Sequence, residues 1–323
     1  MDDKQFRDRL IEKLKRELGS VIVSALEDPN VIEVMLNPDG SLWVVKFGVG
    51  KRCVGEVQAS RAESIVSTVA AYMQTTVNYD RPGLECELPM DGSRFTALAP
   101  PVVAAVSFTI RKKATRIFTL QDYLEAGILS QAQFDYLWLA VANRRNIIVA
   151  GGTGSGKTTL LNAIIAAIAT QAPDDRLVVI EDTGEIQCAA RDAVTMRAVG
   201  HFTMNDCLKK TLRFTPERIV VGEVRGGEAM ALLKSWNTGH EGGASTLHAN
   251  QGQALKRLQT LVSEAPEASN YSPDMICGLI GEAVNVVVSI AKDKEAKAGR
   301  SVKEILEIQG YDAESHTFRS RFV

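Results

Sequence analysis

The sequence predicts an α/β protein whose C-terminal part contains a mostly parallel β-sheet and whose smaller N-terminal part is an α+β domain. Three observations support this fold class. From Ile147 onward, short apolar runs alternate with helical segments, which is typical of a parallel sheet with helices on both faces. A glycine-rich stretch separates the first of those runs from the helix after it. Before residue 112 the order differs, with strand-like segments on either side of one helix.

The composition is that of an ordinary globular protein. Of the 323 residues, 45% are hydrophobic and 24% are charged, and the length allows two domains. The formal net charge of −2 gives no sign of affinity for nucleic acid. No apolar run approaches the roughly 20 residues of a membrane span, and no apolar segment near the N-terminus indicates a secretory signal. The five cysteines form no Cys-x-x-Cys pair, so we expect a reduced, cytoplasmic compartment without a zinc site or disulfides.

The first domain is predicted to span residues 1–111. Apolar residues recur at helical spacing over Phe6–Leu18, which predicts a helix packed on its own domain or on a neighbouring subunit. The period then becomes that of strands, and Asn37-Pro38-Asp39-Gly40 is typical of a hairpin turn. A basic linker is predicted at residues 112–117. The other predicted elements are strands at Val31–Leu36 and Leu42–Phe47, a helix at Arg61–Thr76, and strands at Leu84–Ala99 and Val102–Arg111.

The second domain is predicted to span residues 118–323. It begins with a helical pattern over Phe118–Ala142. The charged segment 292–300 is predicted to be a solvated hairpin loop. The predicted strands are Ile147–Ala150, Leu177–Glu181, Val194–Arg197, Ile219–Val224, Ala244–Leu247 and Val284–Ile290.

The pattern Gly-x-x-x-x-Gly-Lys-Thr stands at residues 151–158, between an apolar run and a helical segment. Strand, glycine loop and helix are the context of a phosphate-binding loop, so the second domain is predicted to be a RecA-like P-loop domain that binds ATP. Glycines let several backbone N–H groups point at one anion, and the helix adds its positive end. Lys157 would reach the β- and γ-phosphates, and the Thr158 hydroxyl would ligate Mg²⁺. The predicted nucleotide-binding residues are Gly152, Thr153, Gly154, Ser155, Gly156, Lys157, Thr158 and Thr159.

A second strand delivers a carboxylate to the same edge of the predicted sheet. The apolar run Ile219–Val221 leads into Gly222 and Glu223, and parallel sheets bind ligands at the carboxyl ends of their strands. Glu223 is therefore a candidate general base that activates water, and a candidate Mg²⁺ ligand through water. The alternative is a strand-end carboxylate that only caps the next helix.

A third strand ends in a cluster of acids. Val178–Ile180 is followed by Glu181, Asp182 and, three residues later, Glu185. Glu181 and Glu185 are candidates to orient the attacking water or the metal shell, and Asp182 is the acid most suited to a structural role. The sequence leaves open which of Glu181, Glu185 and Glu223 activates the water.

A fourth stretch carries two histidines. His240-Glu241 invites comparison with a metalloprotease, but that site needs a second histidine where Ala244 stands. The strand Ala244–Leu247 instead delivers His248 to the carboxyl edge of the sheet, where the ring could contact a γ-phosphate or position water. A packed or hydrogen-bonding role is the alternative for either histidine.

Together these four stretches resemble the secretion ATPases of the type II/type IV superfamily over nearly the whole chain. Residues 212–228 and 236–240 are most similar to conjugal-transfer ATPases of the TrbB type. The resemblance implies a hexamer whose ATP hydrolysis powers substrate transfer or pilus assembly in a conjugative type IV secretion system. It also implies a cytoplasmic protein peripherally associated with the inner membrane. Its partners would be inner-membrane components of the machine, with no direct sequence-specific binding of nucleic acid.

The resemblance also gives the first domain a task. In such ATPases, arginines of the N-terminal domain and linker reach the nucleotide phosphates, and the matching residues here are Arg94 and Arg111. A guanidinium on the γ-phosphate stabilises charge in the transition state. Arg213 and Arg225 flank the Glu223 strand and are weaker candidates to pair with acids across a subunit boundary.

Three other interpretations remain. A pilus-assembly or pilus-retraction ATPase shares the same motifs. A RecA-like nucleic-acid motor would need a basic channel with stacking aromatic residues, yet only 6% of residues are aromatic. A non-catalytic, nucleotide-gated scaffold fits poorly with the complete set of acids.

Overall fold

The computed structural model describes residues 3–112 and 116–323. The chain divides into two compact units, Met1–Arg116 and Ile117–Val323. The predicted linker at 112–117 spans the point of division, and its residues 113–115 lie outside the described residues. No helix in the described part of the chain is both long and apolar enough to span a bilayer.

The first unit combines two helices with six strands. The strands form one antiparallel sheet in the order β3-β2-β1-β6-β5-β4, and both helices contribute to the hydrophobic core on one face of it. Alternate strand residues such as Val34, Phe95 and Ile110 are buried there, as the period of a strand requires. The elements are α1 (Asp3–Glu27), β1 (Val31–Leu36), β2 (Ser41–Lys46), β3 (Gly50–Glu56), α2 (Ala59–Tyr72), β4 (Gly83–Glu87), β5 (Arg94–Leu98) and β6 (Ser107–Arg111).

The second unit is built on one eight-stranded sheet in the order β14-β13-β12-β7-β11-β10-β8-β9. The run from β12 to β9 is parallel throughout, and β13 and β14 extend the sheet by antiparallel pairing. The elements are α3 (Leu120–Glu125), α4 (Gln131–Ala142), β7 (Ile147–Gly151), α5 (Lys157–Gln171), β8 (Leu177–Glu181), β9 (Ala193–Arg197), α6 (Met204–Thr211), β10 (Arg218–Val224), α7 (Glu228–Trp236), β11 (Ala244–His248), α8 (Ala254–Ser263), α9 (Pro273–Ala283), β12 (Val286–Lys292), β13 (Arg300–Asp312) and β14 (Thr317–Phe322).

The fold class predicted from the sequence is confirmed. All residues of β7 and β8 are buried, because helices cover both faces of the parallel part of the sheet. Such strands are continuous apolar runs in the sequence, which is why they are the easiest to predict.

Two of the predicted elements are each interrupted by a turn and form two elements in the structure. The predicted helix over Phe118–Ala142 is two helices, because Thr119 and Ser130 each start a helix with their own capping box. The predicted strand over Leu84–Ala99 is likewise two strands, and the carboxylate of Asp91 accepts hydrogen bonds from the backbone and hydroxyl of Ser93 in the turn between them.

Other differences lie at ends and edges. The first helix is longer than predicted, although Gly19 interrupts its helical backbone. The strand predicted from Val102 begins only at Ser107. Three strands, β3, β13 and β14, were not predicted. Strand β3 is exposed along all but its first residue, so it lacks the alternation that identifies a half-buried strand.

Candidate functional site: the glycine loop and the carboxyl edge of the sheet

The glycine loop runs from the end of β7 to the start of α5. Gly156 precedes the helix with a φ of 102°, a conformation that favours glycine. A Cβ at Gly156 would lie 2.6 Å from the guanidinium of Arg300, and one at Gly151 would lie 2.3 Å from the carbonyl oxygen of Ile290. Glycine is therefore favoured by the backbone conformation at residue 156 and by close packing against a backbone carbonyl at residue 151. The result is a tight turn that ends at the positive pole of a helix, which is a general anion site.

Lys157 is the first residue of that helix and is only 7% exposed. Its amino group donates a hydrogen bond to the carbonyl oxygen of Gly152 at 3.2 Å. The same nitrogen lies 3.3 Å from Nε2 of His248. Because an ammonium group only donates, Nε2 of His248 accepts, and the neutral ring carries its proton on Nδ1. The lysine is thus held at the mouth of the loop by groups that a phosphate would outcompete.

His248 reaches this position because β11 lies directly beside β7. The parallel register pairs His248 with Gly151, so the histidine ends its strand where the glycine loop begins. Partial burial is the largest single cause that lowers the pKa of His248 below its ordinary 6.5, and the positive charges of Lys157, Arg225 and Arg257 act in the same direction, while Glu223 opposes the shift. The ring is therefore neutral at pH 7.

Glu223 approaches the same ring nitrogen of His248 as Lys157 does. Its Oε1 is 3.6 Å from Nε2 of His248 and is buried without a hydrogen-bond partner. Its Oε2 is bound by the guanidinium of Arg225 at 2.6–2.7 Å. Arg225 also contacts the carboxylate of Asp182 at 2.6 Å. One oxygen of Glu223 is thus fixed and the other is free to accept a proton from water.

The alternative that Glu223 caps the following helix does not match these contacts. The carboxylate of Glu228, the first residue of α7, accepts hydrogen bonds from the backbone N–H groups of Arg225 and Gly226 in the turn before that helix. Arg225, which the sequence suggested as a partner for acids across a subunit boundary, is paired with Glu223 and Asp182 of its own chain.

The other predicted acids lie on β8 and in the loop after it. Glu181 is buried next to Gly222, and its carboxylate accepts a hydrogen bond from the backbone N–H of Ile186 at 3.0 Å. The backbone carbonyl of Glu185 accepts a hydrogen bond from Asn162 of α5, which ties this loop to the helix of the glycine loop. Glu181, Glu185 and Glu223 therefore all belong to the same edge of the sheet.

His240 lies at the opposite edge. It precedes the first residue of β11, and its Nδ1 donates a hydrogen bond to the backbone carbonyl of Pro216 at 2.7 Å. Pro216 in turn precedes β10. The alternative, hydrogen-bonding interpretation holds for this histidine.

Arg94 and Arg111 belong to the first unit. They face each other in the antiparallel register of β5 and β6, so their side chains share one face of that sheet, and both are exposed. The same register row places Glu87 beside Arg94 and Glu33 beside Arg111. The two arginines form one basic pair with an acid at each end.

The sequence reasoning missed two basic residues beside the loop. Arg300 was assigned to a solvated loop, yet it is buried and its guanidinium lies 3.4 Å from the carbonyl oxygen of Ser155. Lys292 was placed in the same loop, and its amino group lies so close to Gly154 that a Cβ there would be 3.2 Å away. Their signal in the sequence is weak, because charged residues at a hairpin are usually solvated.

The residues present fit a nucleotide with Mg²⁺. The hydroxyl of Ser155 is buried without a hydrogen-bond partner, as expected for a loop built around an absent anion. Among the described residues, no three His, Cys, Asp or Glu side chains form a metal cluster. Mg²⁺ in P-loop proteins needs none, since phosphate oxygens, waters and one hydroxyl such as that of Thr158 supply its ligands.

Comparison with known proteins identifies the family to which the chain is similar. Residues 12–313 match the family described as type II/IV secretion system protein. The chain is 46% identical over 304 residues to the conjugal transfer protein TrbB of Rhizobium radiobacter, covering 94% of this chain and 91% of that protein. The predicted resemblance to TrbB-type proteins is therefore confirmed.

Solved structures of ATPases are also similar to this chain. The VirB11 ATPase of the Brucella suis type IV secretion system, solved with sulphate, shares 27% identity at a TM-score of 0.50 and covers 90% of this chain and 96% of that one. The Legionella pneumophila ATPase DotB shares 21% identity at a TM-score of 0.63, with 96% and 82% covered, and this likeness concerns the fold alone.

Proposed function

The chain belongs to the type II/IV secretion system protein family, and from this membership we propose that it is a Mg²⁺-dependent ATPase of a conjugative type IV secretion system. Its ATP hydrolysis would power substrate transfer or pilus assembly. The observation that carries the proposal is the contact series Lys157–His248–Glu223 at the mouth of the glycine loop. It combines a phosphate-binding cation with a carboxylate that has one unbonded oxygen.

The residues divide the work of hydrolysis among them. Lys157 exchanges its contacts with Gly152 and His248 for the β- and γ-phosphates of ATP. Thr158 and, through water, Glu223 would hold Mg²⁺, which neutralises charge that develops on the phosphates. Glu223 accepts a proton from the water that attacks the γ-phosphorus, the bond to the bridging oxygen breaks, and ADP and phosphate remain.

Surrounding residues orient this carboxylate. Arg225 binds one oxygen of Glu223 and thereby aims the other. Glu181 and Glu185 shape the neighbouring loop and orient the water or the metal shell. His248 contacts both Lys157 and Glu223, so it is suited to respond to the presence of a γ-phosphate.

We propose a role in catalysis for two arginines of the first unit. Arg94 and Arg111 would reach the γ-phosphate and stabilise the transition state, as guanidinium groups do in related phosphoryl-transfer sites. We further propose that the chain works as a homo-hexamer in the cytoplasm, peripherally bound to the inner membrane through membrane components of the machine.

A mass measurement paired with phosphate release tests this proposal. We expect a six-copy assembly in the presence of ATP and Mg²⁺, with phosphate release that needs Mg²⁺. Lys157→Ala removes charge-assisted contacts to phosphate and should weaken nucleotide binding about 10- to 100-fold. Lys209→Ala, at an exposed lysine of α6, is the matched control.

Two results would contradict the proposal. A six-copy assembly that releases phosphate no faster than buffer indicates a nucleotide-gated scaffold. Phosphate release that depends on single-stranded DNA, and disappears in high salt, indicates a nucleic-acid motor.

A further inference from the structure

A cleft of about 390 Å³ opens next to the glycine loop, on the side of α8. We call it the α8 cleft. Its walls are Gly152 of the glycine loop, residues 248–250 at the end of β11, and one face of α8. That face consists of Gln253, Lys256, Arg257 and Thr260, whose spacing places them on one side of a helix.

The two charged residues that line the α8 cleft are both basic. Its lining contains no carboxylate, and it contains the side chains of Lys256 and Arg257. Neither of these makes an ion pair with any residue in 3–112 or 116–323. Arg257 is half-buried and close enough to His248 to help lower the pKa of that histidine. Cations that face one cavity without a counter-charge repel one another, so an anion in the cavity would be stabilised.

The α8 cleft lies directly beside the amino group of Lys157. Its walls include Gly152 and His248, and both residues contact that amino group. A phosphate ion released beside Lys157 would therefore lie next to the cleft. Lys256 and Arg257 line the cleft, whereas Glu223 and Asp182 are not among the residues that line it.

We propose that the α8 cleft is a second anion site, which takes up inorganic phosphate after hydrolysis and before its release. This inference rests on the proposed ATPase function, since hydrolysis of the γ-phosphate produces a phosphate ion beside His248. Lys256 and Arg257 bind the ion there by charge-assisted hydrogen bonds. The cleft is larger than one phosphate ion, so part of the ion's hydration shell stays in place and binding is reversible.

The test is a calorimetric titration of inorganic phosphate into the full-length protein saturated with ADP and Mg²⁺, so that ADP fills the glycine loop. The wild type should bind phosphate, and the double variant Lys256→Gln/Arg257→Gln should bind it at least about tenfold more weakly. The affinity for ADP should remain within about twofold, because neither residue belongs to the glycine loop. Lys209→Gln/Lys210→Gln removes two exposed lysines from α6 and is the matched control for charge.

Three results would overturn the proposal. Phosphate binding that is equal in wild type and the double variant would place the ion at Lys157 alone. No phosphate binding to the ADP-bound protein would remove the site. Binding of a single-stranded oligonucleotide that is tighter than that of phosphate and is lost in the double variant would assign the cleft to nucleic acid.

A parallel measurement of ATP hydrolysis keeps the two proposals separate. Phosphate binding in the α8 cleft without ATP hydrolysis would contradict the ATPase function and leave the anion site standing. ATP hydrolysis without phosphate binding in the cleft would contradict the anion site and leave the ATPase function standing.

Discussion

The two edges of the eight-stranded sheet carry similar polar residues, but these residues make different kinds of contact at each edge. Strand β11 connects the edges and has a histidine near each end, His240 before its first residue and His248 as its last. At the amino edge His240 donates to a backbone carbonyl. At the carboxyl edge His248 contacts the side chains of Lys157 and Glu223. The same residue type therefore contacts the backbone at one end of the strand and charged side chains at the other.

At the amino edge, the buried polar side chains are paired with one another or with backbone groups. Arg218 is 2% exposed, and it binds Asp175 at 2.6 Å and the backbone carbonyls of Val141 and Gly242. Asn146 is buried as well, and its amide oxygen accepts the N–H groups at 242 and 243. Each polar group named here has a partner, as buried groups require.

The carboxyl edge leaves groups unpaired. Oε1 of Glu223 and the hydroxyl of Ser155 are buried without a hydrogen bond, and Lys256 and Arg257 make no ion pair with the described residues. A buried polar group without a partner costs stability, so Oε1 of Glu223 and the hydroxyl of Ser155 are suited to be completed by a bound ligand.

The largest effect is expected for Glu223→Gln. Glutamine keeps the size and the contact with Arg225 but cannot accept the proton from water, so turnover should fall about 10²- to 10⁴-fold. ATP affinity should change little. Single-turnover phosphate release and equilibrium binding of ATP measure the two quantities. Normal turnover in this variant would remove Glu223 from the role of general base.

At the amino edge, Arg218→Ala should act on stability. Removing the buried guanidinium leaves two backbone carbonyls without a donor, and we expect the free energy of unfolding to fall by about 3–5 kcal/mol. Arg144→Ala is the control, because Arg144 contacts the same carboxylate of Asp175 from a more exposed position and should cost about 0–1 kcal/mol. Urea unfolding measures both. Equal losses of unfolding free energy in the two variants would show that burial does not make the Arg218–Asp175 pair more important for stability than the Arg144–Asp175 pair.

Substitution of the two histidines compares the edges directly, and we expect smaller effects than for Glu223 and Arg218. His248→Ala should lower turnover about tenfold through the lost contact with the phosphate-binding lysine, with little effect on stability. His240→Ala should lower the free energy of unfolding by about 0.5–1.5 kcal/mol and leave turnover nearly unchanged. Parallel unfolding and phosphate-release curves measure these changes. A reversed pattern would contradict the assignment of the two edges.

The pH dependence should be the smallest effect. The pKa of His248 is lowered in the folded protein, so the unfolded chain takes up the proton first as the pH falls below about 6.5. Stability is therefore present above pH 6.5 and decreases on acidification towards the folded pKa. Solvent screening keeps this small, since the side chain is 46% exposed. The slope of unfolding free energy against pH should be shallower in His248→Ala, and an unchanged slope would contradict the lowered pKa.

How far the sequence predicted this structure depends on burial. The parallel strands are buried on both faces and stand out as apolar runs, and the turn of glycines after β7 has a pattern specific enough to identify by itself. Strand-end positions for Glu181, Glu223 and His248 followed from those runs, because parallel strands end at one edge.

The remaining features depend on distant contacts that no local pattern encodes. The sequence 292–300 is charged, and only the pairing of β12 with β13 brings Arg300 under the glycine loop. The hydrogen bond from His240 to the backbone carbonyl of Pro216 depends on contact with the segment before β10, which no local pattern predicts. The pairing of Arg225 with Glu223 and Asp182 likewise depends on side-chain geometry across two strands.

The most direct test of the central claim is a structure of the protein with Mg²⁺ and a non-hydrolysable ATP analogue. We predict that the amino group of Lys157 leaves Gly152 and His248 and lies about 3 Å from oxygens of the β- and γ-phosphates, with a water bound to Glu223. An analogue bound while Lys157 keeps its present contacts, or bound at the amino edge of the sheet, would contradict the account.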